Sequence, residues 1–436
     1  MANAVPENTH DLLAYIEEGP TPWHCVVETV ERLERAGFVE LSEDAAQWPL
    51  TPGLAGYVVR DAGSVVAFRM GGRAPSEAGF RIVGAHTDSP NLRLKSNPDV
   101  TSEGYALLGV QTYGGVLVST WFDRDLGLAG RITLRTGAHP LQLETRLVRI
   151  DRPIGRIPSL AIHLNREIKE DGFKPNAQTH LPVVWGFDGA DRPSLRAFLG
   201  SEMGVDPANI LGWDLCLYDV QPPSVGGVHE DFIYAPRLDN QASCHAALLA
   251  LLDGGASAPD TTAVITLFDH EEIGSRTSRG AAGSLTRDVL GRLAGGQHED
   301  LTRAASRSAM ISADMAHGVH PNYADRHEPN HKPMLNGGPV IKIHAGGRYA
   351  TETETSAVFR GLCADLGVPT QEFINRSDLA CGSTIGPIVA SSLGIRTVDV
   401  GNAMWSMHSI REMAGSRDHD LMVRAMTGFL TWDQRF

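Results

Sequence analysis

Apolar positions recur at helical spacing near the start of the chain. In "TPWHCVVETVERLERAGF", Val26, Val30 and Leu33 fall on one face, the pattern of an amphipathic helix. Thr21 is placed to cap it, Pro22 suits the first helical position, and Gly37 marks its end. A helix is also predicted over 9–20, with Thr9 as its N-cap. The period then shortens. "GYVVR", "SVVAFRM" and "FRIVGAHTDSP" alternate or run apolar and end in turn residues, so each predicts a strand.

From about 97 to 230 the texture is different. Short β-like pieces ("ALLGVQTYGGVLV", "RITLRT", "ETRLVRI") are broken by Gly, Pro and Asp, with few helical stretches. From about 231 onward, helices ("SCHAALLALLDGG", "ETSAVFRGLCADLG") alternate with strands ("TTAVITLFD", "SAMISADM", "IRTVDVG"). Such alternation argues for an α/β sheet with parallel strands. The prediction is one α/β domain, 1–96 plus 231–436, interrupted by an inserted β-rich domain over 97–230. A chain of 436 residues is too long for one ordinary core and accommodates this division.

Charge and composition narrow the class. A formal net charge of −14 argues against a broad nucleic-acid surface, which wants clustered Lys and Arg. No window approaches the roughly 18 apolar residues of a membrane span. The start, "MANAVPENTHDLLAYIEEGP", lacks the basic opening and apolar core of a secretory signal. A cytoplasmic protein with no nucleic-acid or membrane partner is therefore expected. The five cysteines are scattered and form no CxxC, which speaks against a disulfide framework or a zinc knuckle.

Histidines and carboxylates gather where the α/β strands end. His86 and Asp88 close "RIVGAHTDSP". Asp239, in "RLDNQASCH", precedes a helix. Glu271 and Glu272 follow "AVITLF". Asp314 ends "MISAD", with His317 and His320 beyond it, and His408 follows "RTVDVGNAMWSM". The space outside the carboxyl ends of strands is where open α/β sheets build sites. Each residue has a plainer reading. Asp239 could cap the next helix, His86 and Asp314 could serve turns, His408 could lie on the surface, and both glutamates could be solvated. Five segments converging on one kind of place favour a site.

Two histidines and three carboxylates, without cysteine, suit Zn²⁺, Mn²⁺ or Co²⁺. Five ligands are too many for one tetrahedral ion with an open position, and they fit two ions sharing a carboxylate. Asp88, two residues after His86, is placed to hold that imidazole. The adjacent glutamates would repel each other at a buried strand's mouth, so they call for solvent or for compensating positive charge. Competing motifs fail: "HEEIG" has Gly274 where HExxH needs its second histidine, and GxSxG, GxxxxGK[ST] and a GxGxxG after the first strand are all missing.

Longer stretches carry more information. "GAHTDSPNLRLK", "WFDRDLGLAGR", "AIHLNREI", "RLDNQASC", "DHEEIGS", "SADMAHGVHPNYADRHEPNHKPMLNGGPVIKI", "RSDLACGSTIGPI" and "MHSIREMAG" together resemble the aspartyl aminopeptidase family of dinuclear zinc aminopeptidases, nearly end to end. The resemblance implies a three-layer α/β metallopeptidase domain with a parallel or mixed sheet, interrupted by a β-rich oligomerisation domain. It implies that His86, Asp239 and Asp314 hold one metal ion and that Asp239, Glu272 and His408 hold the other, with Asp239 bridging. Glu271 matches the general base. Lys342 matches a lysine that pairs with an acidic side chain at the substrate's N-terminus; without the family it would be read as a solvent-facing lysine on a strand. His163 matches a histidine offered to a neighbouring subunit's active site. The implied activity is hydrolysis of the first peptide bond of peptides with N-terminal Asp or Glu. Two divalent ions, zinc foremost with Mn²⁺ or Co²⁺ as alternatives, and assembly into a tetrahedral dodecamer complete the expectation. A dinuclear deacylase, an aminopeptidase for neutral residues and a non-catalytic shell are the alternatives.

Overall fold

The computed structural model describes residues 4–254 and 259–433. Phe80–His86 and Thr262–Phe268 are strands buried at every position. A strand covered on both faces needs no polar alternation, which explains their continuous apolar sequences. They pair in parallel, Phe80 opposite Thr262 and His86 opposite Phe268. Ala309–Ala313 pairs in parallel on the other side of Phe80–His86, and Arg396–Gly401 lies parallel beyond it. By first residue, the nine-stranded sheet runs 39, 55, 64, 262, 80, 309, 396, 340, 371. Antiparallel pairs at Ser64–Arg69 and Val340–Ile343 make the sheet mixed.

Side chains along these strands divide alternately between two cores. Val83, Ala85, Ile265 and Leu267 join one, with residues of helices Pro22–Arg35, Leu238–Asp253, Thr353–Asp365 and Asp418–Leu430. Phe80, Ile82, Val264 and Phe268 join the other, with helices Leu285–Ala294, His298–Ala305 and Ile385–Leu393. The period of two thus puts helices on both faces of the sheet, giving three layers.

Thr21 caps the second helix as expected, its hydroxyl facing the His24 N–H at 3.5 Å. The first helix differs from expectation. It spans Glu7–Glu18 and starts after Pro6. Thr9 lies inside it, buried, and its hydroxyl donates to the Ser416 carbonyl at 2.7 Å. A tertiary acceptor has taken the role that a cap would have filled.

Contacts divide the chain into two compact units: Met1–Asp88, Pro223–Met407 and Glu412–Phe436 form one, Ser89–Pro222 with His408–Arg411 the other. The divisions fall ahead of the expected 97 and 230 because Asn91–Ser102 is already a strand of the second unit's sheet. That sheet has six strands, ordered by first residue 143, 126, 210, 91, 105, 183, all antiparallel. Leu92, Leu108, Leu128, Ile132, Val148 and Leu217 lie in its core. The first unit also holds a five-stranded sheet ordered 224, 232, 412, 403, 316.

Candidate metal centre

Because Phe80–His86, Thr262–Phe268, Ala309–Ala313 and Arg396–Gly401 are parallel, their carboxyl ends share one edge of the large sheet. His86 is the last residue of one strand, Asp314 follows another, and the glutamate pair lies just beyond a third. Asp239 comes from the start of helix Leu238–Asp253, where its angles (φ −85°, ψ 101°) are not helical. It is an extended lead-in, not a helix cap.

The glutamate pair does not straddle a strand. After Phe268 the chain turns through His270, which is left-handed (φ 65°, ψ 22°), into a single 3-10 turn, Glu271–Ile273. Two buried aspartates pin this turn. Asp269 accepts the His270 N–H at 2.8 Å, and its other oxygen lies 3.1 Å from Arg279 Nε. Asp88 accepts the Glu271 N–H at 3.1 Å through Oδ1 and the Glu272 N–H at 3.2 Å through Oδ2.

Asp88 therefore engages both glutamate amides as well as the histidine it was expected to hold. His86 Nδ1 lies 2.9 Å from the Asp88 carbonyl and 3.4 Å from its carboxylate. A carbonyl can only accept, so Nδ1 carries a proton. Nε2 then faces Asp239 Oδ1 at 3.4 Å and Asp314 Oδ1 at 3.7 Å. Donor atoms of His86, Asp239 and Asp314 all lie within 4.8 Å of one another, as do those of His86, Glu271 and Glu272.

The electrostatics are lopsided. Burial pushes Glu271 up to about 8; His86 opposes that rise, while Asp314, Asp88 and Asp239 reinforce it. For His86 burial favours the neutral ring, yet Asp239, Asp314 and Asp88 hold its pKa well above the ordinary value. Lys342 is the nearby lysine. It is buried, donates to the Met315 carbonyl at 3.2 Å, and lies 3.5 Å from Asp314 Oδ2 and 5.2 Å from the Tyr349 ring centre. It does not occupy the solvent face that a lone strand lysine would. Within this set, one imidazole and one ammonium, His86 and Lys342, stand with five carboxylates: Asp88, Asp239, Glu271, Glu272 and Asp314. In the metal-free chain Nε2 also carries a proton, shared between two carboxylates; a divalent cation can take that proton's place, and the oxygen and nitrogen donors suit zinc.

His86, Asp88, Asp239, Glu271, Glu272, Asp314 and Lys342 all belong to the first unit. His408 and His163 belong to the second. His408 is left-handed (φ 67°) and donates from Nδ1 to the Gly115 carbonyl at 2.9 Å, leaving Nε2 as its acceptor. His163 is exposed in the 3-10 turn Ile162–Leu164.

Sequence reading missed Glu412, whose carboxylate accepts the Asp239 N–H at 3.1 Å, and Asn240, whose side chain donates to the Ala313 carbonyl at 2.8 Å. It also missed Cys244, whose thiol donates to the His86 carbonyl at 3.0 Å. Only the place of Glu412 inside the "MHSIREMAG" match could have drawn attention to it.

A family model described as aminopeptidase I zinc metalloprotease (M18) matches residues 15–430. A probable M18 family aminopeptidase 2 from Azotobacter vinelandii is 46% identical over 428 residues, covering 97% of this chain and 98% of the relative. Among solved structures, a chain of the Ape4 and Nbr1 complex superposes with a TM-score of 0.92 at 36% identity, covering 97% of this chain and 85% of that one. The S. cerevisiae mApe1 dodecamer gives a TM-score of 0.84 at 31% identity, covering 97% and 96%. Among the described residues, no helix is long and apolar enough to cross a membrane.

Proposed function

The chain belongs to the M18 family of aminopeptidase I zinc metalloproteases, and from that membership we propose that it removes an acidic residue, Asp or Glu, from the N-terminus of peptides. In this reading His86, Asp239 and Asp314 would hold one ion, and Asp239, Glu272 and His408 would hold the other. Two bound divalent ions would lower the pKa of a water from 15.7 toward about 7 and polarise the scissile carbonyl.

The remaining work falls to the protein's side chains. Glu271 takes the proton of the attacking water on its carboxylate and returns it to the leaving amine. Asp88 fixes both glutamate amides, so each carboxylate leaves the turn with a set aim. Lys342 supplies the cation for an acidic side chain, which would be costly to desolvate without a partner. His163 serves a neighbouring subunit in a homo-dodecamer. The same reading places the protein in the cytoplasm, acting on peptides. The observation that carries it is geometric: His86, Asp239 and Asp314 converge, and Glu271 and Glu272 stand beside His86 on a turn that Asp88 pins.

The test is a fluorogenic panel of N-terminal residues, run on metal-stripped protein with Zn²⁺, Mn²⁺ and Co²⁺ restored separately. Activity should depend on the metal and peak on aspartyl or glutamyl substrates. Lys342→Ala should reduce turnover of acidic substrates at least tenfold more than that of alanyl ones. A second reading, an aminopeptidase for neutral residues, draws on the contacts of Lys342 with Asp314 and the Met315 carbonyl. It requires Lys342→Ala to affect both substrates equally.

A further inference from the structure

Asp239 has a backbone that is not helical, although it lies at the start of a helix, and it is also the residue both ions would share. Its surroundings are correspondingly specific. Glu412 opens the strand Glu412–Gly415 and pairs directly across from Ala235. That register brings its side chain back to the chain just beyond Ala235, where Oε2 accepts the Asp239 N–H at 3.1 Å. Glu412 is only 2% exposed. A carboxylate buried to that degree is costly unless hydrogen-bonded, so its place opposite this amide is not incidental packing.

Asn240 works from the other side. It is fully buried, and its side-chain amide donates to the carbonyl of Ala313, the residue before Asp314. Gln241 continues the series by donating to the Gly19 carbonyl at 2.6 Å. The backbone around Asp239 is thus tied to one strand through Glu412 and to the segment bearing Asp314 through Asn240.

We propose that Glu412 and Asn240 are positioning residues that fix the Asp239 carboxylate relative to Asp314 and thereby set the affinity of the centre for its metal ions. The proposal rests on the metal-centre reading above. Neither residue is assigned a ligand bond. A ligand that can swing on its backbone loses part of its binding to the cost of ordering, and groups supporting metal ligands are typically worth 10–100-fold in affinity.

Two changes at Glu412 separate reach from charge. Glu412→Gln keeps the length and an acceptor oxygen but loses the charge. Glu412→Asp keeps the charge but falls one methylene short of the amide. Metal-stripped full-length protein is titrated with Zn²⁺ against a chromogenic chelator, and the melting temperature of each metal-free variant is recorded alongside. The expected result is wild-type affinity within about threefold for Glu412→Gln and at least tenfold weaker binding for Glu412→Asp. Asn240→Ala should also weaken binding at least tenfold, which keeps the clamp testable if a Glu412 variant does not fold. Wild-type affinity in both Glu412→Asp and Asn240→Ala overturns the proposal, as does a Glu412→Gln variant as weak as Glu412→Asp. If the wild-type chain itself takes up no zinc, the metal-centre reading fails instead.

Discussion

Burial lifts Glu271 to about 8, while its neighbour Glu272 shares the same pinning aspartate and shows a different set of neighbours. The two glutamates should therefore respond differently to the same change. Glu271→Gln is expected to bind metal as wild type and to lose turnover by about 10²-fold or more. Glu272→Gln is expected to lose metal affinity first. Metal content after dialysis, read beside kcat, distinguishes them. The raised carboxyl also has a pH consequence in the metal-free chain. Its folded pKa lies above the ordinary 4.5, so the stability it contributes is full below that value and is lost as pH rises through about 8. His86, also raised, acts in the same direction. Metal-stripped protein should melt at progressively lower temperature across that window, and Glu271→Gln should flatten the slope. An unchanged slope in the variant would refute the assignment.

At the level of elements, the 3-10 turn Glu271–Ile273 depends on what lies behind it. Asp269 is fully buried, and Arg279 is its close cationic partner. Removing one member of a buried pair typically costs about 3–5 kcal/mol, because the other charge stays behind. Arg279→Met is thus expected to lower the melting temperature and to depress kcat, measured by thermal denaturation and steady-state kinetics. The elements themselves were legible where burial imposed a pattern. Phe80–His86 and Thr262–Phe268 are covered on both faces, so their apolar runs announced them. That His86, Asp314 and the two glutamates stand at strand ends was legible because the apolar runs show where each strand stops; Asp239, at the start of a helix, was legible only as a residue preceding that helix. Glu412 was not, since a bond from a side chain to a backbone amide 173 residues away leaves no spacing to read. Thr9 was misjudged for a related reason: its hydroxyl found a carbonyl near the other end of the chain.

For the whole molecule, the second unit carries large apolar side chains in the open. Leu164 is 76% exposed and Leu160 60%, on either side of His163. Surfaces of this kind mark association sites, and the mApe1 relative is a dodecamer. Leu164→Asp is expected to shift the protein to a smaller species, read by light scattering coupled to size exclusion, with its metal content unchanged. A mass identical to wild type would remove this segment from the interface.

The order of strands in the large sheet bears on how the protein is made. Phe80–His86 lies between Thr262–Phe268 and Ala309–Ala313, so it leaves the ribosome long before either neighbour exists. All six strands of the second unit's sheet, by contrast, lie within Ser89–Pro222 and can pair while synthesis continues. The residue that holds the Asp239 amide, Glu412, emerges 173 residues after Asp239 itself. A chain that stops short of Glu412 therefore lacks the contact that holds the Asp239 amide, even with the second unit's sheet already paired.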